Sequence, residues 1–211
     1  MAHYEVSQPT MRAALRILES EGLLKIHRGA QGGPRVQELD VDVLARRARL
    51  YLQVEGADLV DLLEALRMLE PGAVALAAER RTPAQLAELW SCVERTAACE
   101  TMTDFSEVGA DFVLLLLEAS GNKSLKLFGL VISSLIRDEL HRELEASSET
   151  RGLQWHAERF AEVVQLIELG EGEAAAALWR AHMLVADPTK VRPAEGHNLG
   201  WLPNLRPPVS K

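Results

Sequence analysis

The chain is poor in cysteine and in aromatic residues: among 211 residues there are two Cys, four Trp, two Tyr and four Phe. Cys92 and Cys99 lie seven apart within one predicted helix, poorly placed for an ordinary disulfide. Two half-buried thiols in a reducing, cytoplasmic setting are therefore expected. Long apolar runs are also scarce. None is longer than six residues, and the most hydrophobic, from Phe112 to Leu117, is far too short to cross a bilayer; no signal peptide opens the sequence, so no membrane partner is expected. Enzyme signatures are missing as well: there is no nucleophile elbow, no Cys-His pair and no His-Glu-x-x-His at catalytic spacing. The Gly-rich HRGAQGGPRV lacks the Lys-Ser/Thr ending of a phosphate loop, and no helix follows it directly. A non-enzymatic, binding protein without a cofactor is the expectation.

What the sequence does have is Ala and Leu in helical spacing and an uneven charge. The formal net charge is −8, yet residues 1–36 carry five Arg or Lys against three Glu, so the acidity lies in the remainder. An acidic body does not attract nucleic acid, and any DNA contact must come from the N-terminal arm.

That arm, from Val6 to Val36, reads as a capped helix, a turn and a Gly-rich hairpin. Ser7 is the expected N-cap, and Pro9 sits in the first turn, where its missing N–H removes no helical hydrogen bond. Met11, Ala14, Leu15 and Leu18 form a narrow apolar stripe, with Arg12 and Arg16 on the opposite face. Gly22 ends the helix, Leu23 to Ile26 is strand-like, and Gly29, Gly32 and Gly33 leave a tight turn before Arg35 and Val36. Such a helix can bring its positive dipole end near phosphates and Gln8 and Arg12 towards base edges. His27 and Arg28 fall at a wing tip. A surface helix with ordinary solvated arginines accounts for the same residues equally well.

Beyond the link QELDVD, the pattern is helical throughout. Asp40 can cap a helix to about Glu55. Leu59, Leu62, Leu63, Leu66, Leu69 and Val74 mark the next, with Pro71-Gly72 expected to bend it. Thr82-Pro83 restarts the chain as N-cap and first helical residue. Asp104 to Ala119 is so apolar at its centre that burial on nearly all sides is expected. Ser124 to Ala146 should turn Leu127, Val131, Leu135 and Ile136 inward and Arg137 outward. Gly152 to Leu169 and Glu173 to Val185 read as a helical hairpin, and the Pro-rich tail after Asp187 as loose chain that can hold Trp201 in a groove or leave it free.

The run VSQPTMRAALRILESEGLL followed by HRGAQGGPRV resembles the recognition helix and wing of GntR-type bacterial transcription regulators. The resemblance implies DNA contacts at Ser7, Gln8, Thr10 and Arg12 and, in the wing, at Arg28; Arg16 shares the outer face. Family members carry a first helix and most of a second upstream of this run, where this sequence has only MAHYE before Val6. The body resembles the FCD effector domain of the FadR branch, through ALRMLEPGAVALAAERR, ASGN at Ala119 to Asn122, and GEGEAAAALWRAHM. The implied architecture is all-α: a partial winged helix-turn-helix arm over residues 1–38, an antiparallel bundle of six or seven helices over 39–187, and a tail over 188–211.

What the resemblance implies about function is a homodimer that binds double-stranded operator DNA and responds to a small organic acid or acyl-type effector. The rival is a ligand-binding or dimerisation protein that has lost DNA binding. Many FCD domains hold a divalent metal through an Asp-His pair on one helix and two further His on the last two. Aligned on this sequence, those positions are Gly109, Val113, Phe160 and His182, of which only His182 can ligate, so no metal is expected. Asp111 and His156, two and four residues off, are expected to point elsewhere. The implied effector contacts are then Arg67, Val113, Arg137, Phe160 and His182. Arg67 either meets a ligand carboxylate or pairs with Glu64 or Glu70, and His182 either hydrogen-bonds the ligand or sits in the core near Trp179.

Overall fold

A computed structural model describes residues 6–29, 32–37, 41–145 and 152–186, with side chains omitted over 138–145. The arm holds α1 (Gln8–Ser20) and a two-stranded antiparallel hairpin, β1 (Leu24–His27) and β2 (Gly33–Val36), in which Leu24 faces Val36 and His27 faces Gly33. Seven helices follow: α2 (Val41–Glu55), α3 (Leu59–Arg80), α4 (Pro83–Ala97), α5 (Met102–Ala119), α6 (Lys123–Glu145), α7 (Gly152–Leu169) and α8 (Gly172–Val185). The expected all-α class is the observed one. The expectations for Asp40 and Trp201 fall outside the described residues.

Three helix starts are fixed by reciprocal capping. Asp58 with Asp61, Thr82 with Gln85, and Thr101 with Asp104 each exchange a side-chain and backbone bond across the first turn. Each cap contributes about 1 kcal/mol and sets where its helix begins.

Two apolar cores share α3. Near its start, Leu59, Leu62 and Leu66 pack with Ala45 of α2 and with Leu135 and Ile136 of α6. Near its end, Val74, Ala77 and Ala78 pack with Leu89, Phe112, Leu116, Phe160, Val163, Val164, Ile167 and Trp179 from α4, α5, α7 and α8. Pro71 is buried between them, and the helix runs on past it to Arg80, so the expected bend does not divide the element. Proline lacks only its own N–H, and the packing on both sides holds the remaining ladder in place.

Two burial expectations need correction. Leu127 is 38% exposed and its neighbour Phe128 is 55% exposed, whereas Leu135 and Ile136 are inward as expected. Leu127 and Phe128 thus lie off the packed face of α6, whose start is held against α5 where Lys126 pairs with Glu118. On α5, Phe112, Leu116 and Leu117 are buried, but Val113, Leu114 and Leu115 are only half-buried, because α5 is packed from one side by α3 and α4 and flanked by α6.

The backbones of α3 and α8 approach closely. A Cβ on Gly172 would lie 2.9 Å from the Ala75 carbonyl oxygen. Gly72, exposed on α3, has nothing within 4 Å of the same construction. Gly172→Ala should therefore destabilise the fold by about 1 to 3 kcal/mol, whereas Gly72→Ala should stabilise it by roughly 0.5 to 1 kcal/mol. Urea denaturation of both variants checks the opposite signs.

Candidate functional site

Two places carry the side chains singled out above: the arm, and a ring cluster where α3, α5, α7 and α8 meet. On the arm, Ser7 caps α1 by accepting from the Thr10 N–H at 3.4 Å, and the two hydroxyls lie 2.7 Å apart. Gln8, Arg12 and Arg16 recur once per turn along one exposed face, where with Pro9 and Ala13 they line an open depression. Arg28 is exposed just beyond β1.

No residue of α1 is buried. Met11 and Leu15 are half-buried, while Leu18 is 37% and Ile17 62% exposed. The helix is held from its C-terminal end instead. Gly22 takes a left-handed turn at φ 73°, which a side chain rarely adopts. Glu19 accepts from the Ile26 N–H at 3.0 Å. Glu21 accepts two bonds from the Arg47 guanidinium on α2, at 2.9 and 3.1 Å, and these hold its carboxyl below the ordinary carboxylate range.

In the body, Phe160 stacks on Phe112 with ring centres 4.0 Å apart. Trp179 lies 5.6 Å from Phe160, and His182 stacks between Trp179 and Trp155, at 5.0 Å from each. His156 completes the cluster, 5.2 Å from His182 and 4.3 Å from Phe105. Both imidazoles are more than nine-tenths buried, at 9% and 6% exposure, and the Nδ1 atom of each has no hydrogen-bond partner among the described residues. Burial drives their pKa values down to about 4 for His156 and about 3 for His182, the latter helped by His156 and by Arg159. Both rings are neutral at physiological pH.

Beneath Trp179 lies Glu70, 5% exposed, whose carboxylate accepts the indole N–H at 2.8 Å. Burial pushes its pKa up to about 7, against the opposing effect of that bond.

Of the expected effector residues, the fold brings Phe160 and His182 together, with Val113 packed against the same core. His182 sits by Trp179, one of its two expected settings. Arg137 is exposed on α6, and Arg67 is half-buried on α3. Glu70, considered as a partner for Arg67, instead receives the Trp179 indole. Asp111 does point away, pairing with Arg95 at 2.8 Å on the surface. His156 does not. Four residues is just over one helical turn, so His156 shares the face of Phe160 and enters the cluster. Its i, i+4 relation to Phe160 was the signal available in the sequence. Glu70 had one too, as the single acid on the inward stripe Leu62, Leu66, Val74, Ala77.

The metal positions implied by the resemblance do not supply a ligand set. Gly109, Val113 and Phe160 cannot ligate, and among the described residues no three His, Cys, Asp or Glu side chains converge. Two imidazoles fall short of the three or four donors that such a site uses.

The class these features define is a two-core helical domain set behind a helix-and-hairpin arm. Residues 61–184 match the FCD domain, and the chain belongs to that family. It is 28% identical over 184 residues to the HTH-type transcriptional regulator LutR of Bacillus subtilis (strain 168), covering 85% of this chain and 83% of that protein. Its fold is similar to that of Streptococcus agalactiae GntR, with a TM-score of 0.65 and 21% identity over 88% of this chain and 83% of that one. It is also similar to E. coli McbR/YncC, with a TM-score of 0.55 and 20% identity over 88% and 87%. LutR is by its name a transcriptional regulator, and no helix among the described residues of this chain is long and apolar enough to cross a membrane.

The buried titrating groups act in opposite senses on stability. Glu70, with its pKa raised, contributes stability that is full at low pH and lost as pH rises through about 7. His156 and His182, with theirs lowered, contribute stability that is full above about 6.5 and lost as pH falls through about 4 and 3. Glu70→Gln keeps an acceptor for Trp179 and removes the buried charge. It should raise stability at pH 8 by something on the order of 1 to 3 kcal/mol and change little at pH 5, as read by urea denaturation at the two pH values.

Proposed function

We propose that the chain is a ligand-responsive, DNA-binding transcription regulator of the GntR/FadR type. Residues 1–38 serve as the DNA-binding arm and residues 39–187 as the effector-binding and dimerisation domain. The observation that carries this reading is the exposed face of α1, with Gln8, Arg12 and Arg16 one turn apart and leading from a capped N-terminus. Gln and Arg are the side chains that read base edges in the major groove, while Ser7 and Thr10 suit phosphate contacts near the helix start. Arg28 follows the flanking backbone from the hairpin. Resemblance of the body to regulators that pair such an arm with an FCD domain supports the same assignment.

The effector is an organic acid with an acyl or aromatic body, resting near Phe160, Val113 and His182 in surroundings that hold no metal. Dry aromatic walls favour an apolar ligand body. A homodimer is supported by apolar side chains left on neighbouring helices: Leu50, Tyr51 and Val54 of α2 are at least half exposed, as is Phe128 of α6. A palindromic operator requires that two-fold symmetry.

The open apolar stripe of α1 favours a second reading, in which the chain retains ligand binding and dimerisation without DNA binding. Met11, Leu15 and Leu18 need cover before α1 can be held rigidly in a groove. DNA sites selected from a random duplex library distinguish the two. Under the regulator reading, Arg12→Ala costs about 1 to 3 kcal/mol at the selected site and relaxes its sequence preference. Arg28→Ala weakens selected and random DNA alike. If no sequence is enriched, or both variants lose equally on random DNA, the second reading stands. For the dimer, sedimentation at micromolar concentration should give twice the chain mass, and Phe128→Glu should shift it towards monomer.

A further inference from the structure

No residue of α1 is buried, so packing alone does not fix the direction in which that helix points. Two side chains of α2 meet its end. The Arg47 guanidinium donates to both carboxylate oxygens of Glu21, the C-cap of α1, at 2.9 and 3.1 Å. Four residues earlier, and so on the same face of α2, a Val43 methyl stands 3.4 Å from where a Cβ on Gly22 would lie. Gly22 leaves that space open while taking the left-handed turn that carries the chain off α1. The rest of α2 is tied to the body. Ala45 is buried in the second core, Asp42 accepts from the Ser134 hydroxyl at 2.7 Å, and Arg49 donates to the Leu135 carbonyl at 2.9 Å, the last two partners both on α6. The helix is thus a bracket with α6 on one side and the end of α1 on the other.

We infer that Arg47, with Val43 beside it, is a positioning residue for sequence recognition: its fork on Glu21 sets the angle at which α1 presents Gln8, Arg12 and Arg16 to a duplex. This rests on the regulator reading above and adds to it a residue of the body, which acts through Glu21 rather than through a DNA contact of its own. Two parallel bonds between planar groups fix orientation as well as distance, which a single ammonium does not. With side chains 57% and 44% exposed, the pair adds little to the stability of the fold, because water screens it. Its leverage on direction is much larger. A helix of 13 residues is about 20 Å long. A tilt of about 10° at Glu21 therefore moves Gln8 by about 3 Å, the length of a hydrogen bond.

Positioning and charge have opposite signatures at this pair. Attraction to phosphates depends on the number of charges and is indifferent to a small tilt, whereas bonds to base edges require the angle. Loss of the fork should therefore weaken a selected site and spare random duplex. Glu21→Gln makes the contrast sharpest. It deletes a negative charge and so favours any DNA, yet it breaks the fork and so disfavours the selected site.

The test starts from the site that the unaltered full chain selects from a random duplex library. Arg47→Ala and Glu21→Gln should each weaken that site by at least about twofold and up to about fivefold per arm, the range an exposed ion pair supplies. Affinity for random duplex should stay within about twofold or, for Glu21→Gln, rise. Arg47→Lys keeps the charge without the fork and should lose as much as Arg47→Ala. The exchanged pair, Glu21→Arg with Arg47→Glu, should recover the selected site to within about twofold, which independent structural roles of the two residues would not produce. A second readout needs no DNA. Spin labels at Ala13→Cys on α1 and Met68→Cys on α3, both exposed positions, are placed in a chain carrying Cys92→Ala and Cys99→Ser and diluted with unlabelled chain. They should give one narrow distance, which broadens with Arg47→Ala and narrows again in the exchanged pair.

The inference is overturned if the single variants lose less than about twofold at the selected site, or lose as much on random duplex. It is equally overturned if Arg47→Lys keeps full affinity, if the exchanged pair stays as weak as the single variants, or if the spin-label distance does not broaden. A selected site that all these variants bind alike removes this inference and leaves the regulator reading in place. No enriched sequence, together with a distance that broadens on Arg47→Ala, does the reverse: Arg47 then orients α1, and the regulator reading falls.

Discussion

The contact on which the body depends is the buried bond from the Trp179 indole to the Glu70 carboxylate. It ties α8 to α3 at the level where the two apolar cores meet, with Leu66 one turn below and Val74 one turn above on the same helix. A lone carboxylate in that position is costly unless bonded or protonated, and here it is both bonded and raised towards neutrality. The small residues around it, Ala73, Ala77, Ala175 and Ala176, let α3 and α8 approach closely enough for an indole to reach across. The acid adds one directed bond to the close packing of the two helices.

Much of this architecture was legible from periodicity and punctuation. Thr82-Pro83 and Gly22 marked helix boundaries through local stereochemistry that tertiary packing does not override. The outer face of α1 was legible for the same reason, since Ser7 and Pro9 set the helix start and with it the direction of every side chain that follows. Burial was less so. Leu127 carries the right spacing, yet it lies off the face that α6 packs on α5, and which face a neighbouring helix covers is not written in the spacing of its own leucines.

The ring cluster was half visible. Phe160 and His182 were identified through resemblance, but His156 was missed by treating a displacement of one turn as a change of face. Glu70 was seen only as a possible partner for Arg67, because a sequence does not show which side of an apolar helix will meet a tryptophan more than a hundred residues later.

The scarcity of aromatic residues has an experimental consequence of its own. Trp155, Trp179, Phe105, Phe112 and Phe160 are packed into one asymmetric stack, with Trp90 apart on α4, where its indole N–H reaches Glu168 at 3.2 Å. Coupled rings held at fixed angles dominate near-ultraviolet circular dichroism, and that signal vanishes when specific packing is lost even if helices persist. For most proteins such a spectrum averages over many sites. Here it is chiefly an optical record of one place, the junction of α3, α5, α7 and α8, so a disturbance there can be told apart from a change in helix content by eye.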